Sequence, residues 1–445
     1  MAPLLVVTAS AEAAVRLLSP REALPDPEPV NLEQHFKPEE IERGRRYVRP
    51  QMVIGMAAGA IEAAALTAVV LRLARRGSRM TRARPDQARP DPESRTICAA
   101  RIQARRDAER APGANASSRA GPSAGERLQL LAGAAVAGGL SVGLTLPGLP
   151  LAALARRRSR SVGLATQDWR GWAQDVAKST AIQSVIASAG GAAITAVTRR
   201  WPRGWWLPAA GGSVLVGAAF ATLAPVLLDP VFNDFTPLPE SETRSDVLEL
   251  AQAAGVKVGE VYSVDASRRT TAANAYVSGL GPTKRVVLFD TLLSSFNRDE
   301  VRVVVAHELA HVRHRDVARS IAFAALTAPA AALAAQRLAW ELTPQRGTAG
   351  AIPALLLAAG IVSVPLGLFS SRLSRAVERR ADAFALRLSD APEAFVSFEH
   401  TIAVQNVADV DPPRLLGVLS THPPTGERIG AALAYQKRRA DRPAL

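Results

Sequence analysis

Six apolar runs, each about as long as a bilayer is thick, recur along this chain of 445 residues. A continuous segment in hydrocarbon must satisfy its own backbone hydrogen bonds, and the helix is the open-chain solution. The runs lie near residues 52–73, 128–154, 179–198, 205–228, 317–340 and 349–369. They predict a mainly α, polytopic helical membrane protein of about six spans. The third is the weakest, carrying Gln183 and many Ala. Glu62 interrupts the first, where an ionisable group is expensive unless it faces protein or water, so it hints at a polar interior. A soluble buried helix is the alternative for that segment.

The stretches between these runs divide the chain. Residues 1–50 read as a soluble lead-in; the apolar start carries Glu12 and Arg16 and reads neither as a signal peptide nor as a span. A transmembrane region follows at 51–228, interrupted at 77–127 by a stretch rich in Arg, Pro, Ala and Ser that reads as a linker or disordered loop. Residues 161–178, with Trp169 and Trp172, read as an amphipathic connection at the membrane interface. At 229–316 the composition changes to a small α+β unit: a helix at 240–254, then strands at 256–264, 274–278 and 285–289, the last two joined across Gly279, Gly281 and Pro282. Two further spans occupy 317–370, and 371–445 forms a C-terminal segment, helical at first.

The formal net charge of +14 raises the question of nucleic acid, but the arginines gather at the ends of apolar runs and in the 77–127 stretch. There is no interleaving of basic and aromatic residues to stack bases, so the partner expected of this charge is the lipid bilayer and no nucleic acid. Cys98 is the single cysteine, which rules out an intramolecular disulfide and a thiolate metal cluster. Arg43 to Arg49, Arg156 to Arg158 and Arg372 to Arg380 fall on the side of the α+β unit and assign it to the cytoplasmic face of the plasma membrane, although the 77–127 stretch on the other side goes against the rule.

Chemistry concentrates in VRVVVAHELAHVRHRD, residues 301–316. The chain has six histidines, and three of them fall between His307 and His314. If the run is helical, His307 and His311 share one face a turn apart, a spacing on which two imidazoles hold one Zn²⁺. Glu308 then stands beside the metal as a general base. An exposed helix face is the plainer reading of the pair, and a third ligand decides between them. SRLSRAVERRADAFALRLSD, after the last span, puts Glu378 and Asp382 at i, i+4. A carboxylate from a separate helix suits the third position of a hydrolytic zinc site, and Asp382 can accept the free N–H of a ligand imidazole. The surrounding Arg375, Arg379, Arg380 and Arg387 equally suit an exposed, salt-bridged helix.

FNDFTPLP, NAYVSGLGPTKRVVLFDTLL, HELAH, SRAVERRAD and THPPTGERI, in this order along the chain, together resemble the type I CAAX prenyl protease family, membrane-embedded gluzincin metallopeptidases. The resemblance runs from about Arg160 to Arg428. It implies His307, His311 and Glu378 as zinc ligands, Glu308 as general base, and Asn274 as a hydrogen-bonding partner of a substrate backbone added along a sheet edge. It also implies that His422 and Arg428 face the metal and stabilise the negative charge of the tetrahedral intermediate. His314 and His400 acquire no role. The family typically has seven spans around a water-filled chamber; this chain lacks a clear first span, and Glu62 suits a chamber wall. The function implied is zinc-dependent hydrolysis of peptide bonds in membrane-associated, lipidated or unfolded substrates. Alternatives are a heat-shock-type quality-control metalloprotease of the membrane and a catalytically silent scaffold or receptor.

Overall fold

The structure, a computed structural model, describes residues 2–22, 24, 26–82, 123–279 and 284–441. Cys98, most of the 77–127 stretch and the turn through Gly281 and Pro282 lie outside the described residues. In chain order the longer helices and the strands are α1 (Ala2–Leu18), α2 (Pro38–Arg82), α3 (Ala124–Ser161), α4 (Trp169–Arg200), α5 (Trp206–Leu227), β1 (Phe235–Pro237), α6 (Glu242–Ala253) and β2 (Glu260–Val264). There follow β3 (Ala275–Ser278), β4 (Arg285–Phe289), α7 (Arg298–Arg313), α8 (Asp316–Leu342), α9 (Ile352–Ser389), α10 (Pro392–Gln405) and α11 (Thr425–Ala440). Among the described residues six helices are long and apolar enough to cross a membrane: α2, α3, α4, α5, α8 and α9.

The first correction concerns the expected soluble lead-in. Residues 2–18 form α1, whose Val7, Ala11, Ala14 and Val15 make a buried stripe at i, i+4, i+7 and i+8 against α8 and α9. Its 17 residues span about 25 Å, just short of the hydrocarbon thickness. The two charges that argued against burial are neutralised locally: Arg16 pairs with Glu12, and Glu12 accepts from Arg372 of α9 at 2.6 Å. The bundle therefore contains a seventh, shorter helix.

Two further boundaries move. The amphipathic connection at 161–178 is taken up from Trp169 onward by the first turns of α4, capped by the Asp168 side chain. The boundary at 371 falls inside α9, which runs unbroken from Ile352 to Ser389. One rod thus runs from an apolar, span-length half that exposes Leu356, Ile361 and Val364 into the α+β unit, where Val377, Ala381 and Leu386 are buried.

Helices α3 and α4 approach through small residues. A Cβ added at Gly191 would meet the Gly133 carbonyl oxygen at 2.3 Å, whereas one added at Gly190 meets nothing within 4 Å. Close backbone approach of this kind holds spans together where lipid removes the hydrophobic drive. Gly191→Val is expected to lower the thermal stability of the detergent-solubilised protein by about 1–3 kcal/mol through overpacking, with Gly190→Val near neutral. Thermal unfolding of the two variants checks this. Between α2, α3 and α4 lies an open cleft of about 560 Å³ whose lining mixes Gln51, Glu62, Thr145, Thr180 and Gln183 with Ile54, Ala58, Leu149 and Val176, so Glu62 faces a cleft that is more apolar than polar.

The small sheet has the order β1-β2-β4-β3, with β2 and β4 parallel and the outer pairs antiparallel. β1, unforeseen in the turn-rich FNDFTPLP, pairs Phe235 with Val264. Val261, Val286 and Leu288 of the sheet pack with Val303, Val305 and Leu309 of α7 and with Phe395 and Phe398 of α10 into the main core. That packing fixes α7, and β3 is left as an edge beside it.

Candidate metal centre and its surroundings

Helix α7 begins with a reciprocal capping box between Asn297 and Glu300, and Glu300 is held from the other side by Ser397 at 2.6 Å. With its valine face in the core, the helix turns His307 and His311 toward α9. It ends abruptly: Arg315 adopts a left-handed φ of 55°, which folds the chain back so that Asp316 opens α8 against His311.

Around one point the donor atoms converge. His307 Nε2 and His311 Nε2 are 3.2 Å apart, and the Glu378 carboxylate lies 3.3 Å from the first and 3.6 Å from the second. Each imidazole has its own aspartate behind it. His311 Nδ1 donates to Asp316 at 3.0 Å, and His307 Nδ1 lies 2.9 Å from Asp382, close but off the N–H direction, so that a small ring rotation completes the bond. Both Nε2 atoms then carry lone pairs, and two lone pairs at that separation repel unless a cation lies between them. Four bonds of about 2.0–2.1 Å around a tetrahedral centre set donors about 3.3 Å apart, the spacing seen here. The donor set therefore fits a metal ion: His307, His311 and Glu378 are near enough to share one.

Glu308 is half-buried beside this group. Burial pushes its carboxyl above the ordinary carboxylate range, against the pull of His307 and His311. His422, at the loop before α11, is largely exposed, and its Nδ1 sits 2.9 Å from Glu378. Asn274 is exposed at the head of edge strand β3, its carbonyl accepting from Phe289 N–H at 3.0 Å. His314 bonds the Ala310 carbonyl and His400 faces Glu40, both away from the site.

Arg428 requires a correction. Expected to face the metal, it lies behind Asp382, with Nε and Nη2 donating to the two Asp382 oxygens at 2.9 and 2.6 Å and Nη1 lying 2.6 Å from Glu399. Its Nε, Nη1 and Nη2 each face a buried carboxylate, so the guanidinium is directed at Asp382 and Glu399 rather than at the metal. Burial pulls its pKa down, but Asp382 and Glu399 more than offset that and hold it above its usual range. The residues form a chain, Glu399 to Arg428 to Asp382 to His307, that fixes one ligand ring.

Three partners of the site went unread in the sequence. Asp316 closes the 301–316 stretch but lies five residues from His311, a spacing no helix brings together; only the break at Arg315 does. Arg380, which bonds Asp316, and Glu399, which meets Arg428, have no spacing relation to the residues they hold.

Burial pushes Glu399 up to about 7 from an ordinary 4.5. Between those values the folded protein keeps a proton that the unfolded chain has lost, so this group's contribution to stability is full below the lower value and declines as pH rises to the upper one. Glu399→Gln is expected to flatten that part of the melting-temperature profile between about pH 5 and 7, measured by thermal unfolding beside the parent.

The sequence profile described as "Peptidase family M48" matches residues 237–436. A Bacillus subtilis protein named "Uncharacterized metalloprotease YhfN" is 33% identical over 300 residues, covering 65% of this chain and 70% of its own length. The chain belongs to peptidase family M48. It is a membrane metallopeptidase, and the resemblance to the type I CAAX prenyl proteases holds. The Saccharomyces cerevisiae CAAX prenyl protease 1 is 39% identical over 106 residues, though these are only 24% of this chain and 23% of that protein. The crystal structure of S. mikatae Ste24p superposes over 97% of this chain and 99% of its own with a TM-score of 0.67 at 18% identity, a likeness of fold.

Proposed function

We propose that this metallopeptidase is a zinc-dependent endopeptidase whose ligands are His307, His311 and Glu378. The observation that carries the reading is the approach of two imidazole Nε2 atoms and one carboxylate to within 3.2–3.6 Å of one another, with Glu308 next along the helix. Zinc held there supplies a positive centre that acidifies water and polarises the scissile carbonyl.

The chain's own residues do the rest. Glu308, its carboxyl raised by burial, accepts the proton of the attacking water and returns it to the leaving amine. Asp316 and Asp382 hold the two ligand rings with Nε2 inward. His422, exposed at the edge of the site, offers an N–H to the oxyanion once released from Glu378, while Arg428 acts through Asp382. The free edge of β3, with Asn274 at its head, takes the substrate as an added strand.

The substrate class we assign is membrane-associated peptides, on the cytoplasmic side of the membrane, with prenylated C-termini as the first candidate from the yeast relative's name. Metal analysis of the purified protein, with chelator-sensitive cleavage of one peptide offered with and without a farnesyl group, tests both parts. Zinc at one per chain and a preference for the farnesylated peptide are expected. Cleavage that survives complete metal removal refutes the mechanism; equal cleavage of both peptides refutes the lipid preference alone.

A further inference from the structure

The end of the bundle remote from the metal centre holds a built crevice that peptide hydrolysis does not use. It lies between the α4–α5 turn and the α8–α9 connection, has a volume of about 290 Å³, and is lined by Thr198, Arg199, Trp205, Trp340 and Arg346. Trp205 is buried at 6% exposure and Trp340 half-buried, so the indoles form the walls and the two guanidinium groups the exposed rim. The walls are pinned: Gln336, fully buried one turn below Trp340, donates to the Arg203 carbonyl at 2.9 Å. The Gln336 Oε1 has no partner.

The charge is one-sided. Arg199, Arg200, Arg203, Arg337 and Arg346 gather at these span ends, and none forms an ion pair among the described residues; Glu341, the acid nearest in sequence, pairs with none of them. Helix C-termini account for Arg199 and Arg200 at the end of α4 and for Arg337 near the end of α8. They do not account for Arg346, which sits in the connection with its guanidinium 4.5 Å from the Trp340 ring centre. Indoles settle at the depth of lipid headgroups, and guanidinium pairs phosphate oxygens in a fork.

We propose that this crevice is a binding site for the phosphodiester headgroup of an anionic phospholipid, with Arg199 and Arg346 on the phosphate and Trp205 and Trp340 beside the glycerol. Basic pockets between spans take anionic headgroups for the same electrostatic reason. A free phosphate shares the anion's chemistry but not the acyl chains that hold the headgroup at this depth.

The test uses the full-length chain, delipidated in detergent and returned to nanodiscs of dioleoyl-phosphatidylglycerol or dioleoyl-phosphatidylcholine, with lipid retention read by native mass spectrometry and stability by thermal unfolding. The parent is expected to retain phosphatidylglycerol at least about tenfold better than phosphatidylcholine and to melt higher in it; Arg199→Gln with Arg346→Gln should erase that difference, and the paired Lys variants should keep most of it. Undiminished metal content shows the Gln pair folded. An unchanged preference in a folded Gln pair overturns the proposal. So does stabilisation of the lipid-free parent by millimolar inorganic phosphate equal to that by phosphatidylglycerol.

Discussion

Replacing Glu308 by Gln is expected to leave one metal ion per chain and to remove peptide cleavage, a loss of about 10³-fold or more for a residue that both takes and returns the proton. Gln is isosteric with Glu and cannot carry the proton, and the metal's donors lie on His307, His311 and Glu378 rather than on residue 308. Metal analysis and a single-turnover peptide assay on the same preparation give both numbers. The contrast is with Glu378→Gln, which weakens a donor and should lose metal and cleavage together. A Glu308→Gln protein that still turns over peptide would move the base elsewhere, and His422, largely exposed beside Glu378, is the first candidate among the described residues.

How much of this was legible follows from what each residue's role depends on. The spans were readable because length and apolarity alone decide them. Helix α1 was not, because Glu12 and Arg16 look prohibitive until Arg372, far along the chain, is placed beside them. The two histidines of HELAH were readable because a helix fixes their geometry. Glu378 and Asp382 were half readable: their spacing put them on one face, but four nearby arginines gave an equally good surface helix. In the fold those arginines turn elsewhere. Arg379 goes to Glu427, Arg380 to Asp316, and Arg375 to the carbonyls of Val418 and Ser420, which leaves Glu378 free for the metal. Asp316 and Glu399 depend on a left-handed residue and on the packing of α10 against α11, neither of which has a sequence period.

Arg428→Met is the variant with the largest expected effect on stability. It removes the one cation between two buried carboxylates, Asp382 at 2% and Glu399 at 2% exposure. Stripping one partner from a buried ion pair leaves an uncompensated charge and typically costs about 3–5 kcal/mol. Part of the strain is relieved by protonation of Glu399, whose carboxyl burial already favours the neutral form, so the loss should be larger at about pH 8 than at about pH 5. Adding Glu399→Met to Arg428→Met removes one of the stranded acids and should recover stability, since Asp382 still has His307 to face. Denaturation of the single and double variants measures the recovery. An arginine whose work was to meet an oxyanion would behave otherwise: its loss would slow turnover in a protein of unchanged stability, and removing Glu399 as well would restore nothing. The two accounts thus separate on a measurement that needs no substrate, and the double variant decides whether Arg428 works on the reaction directly or through the aspartate that holds His307.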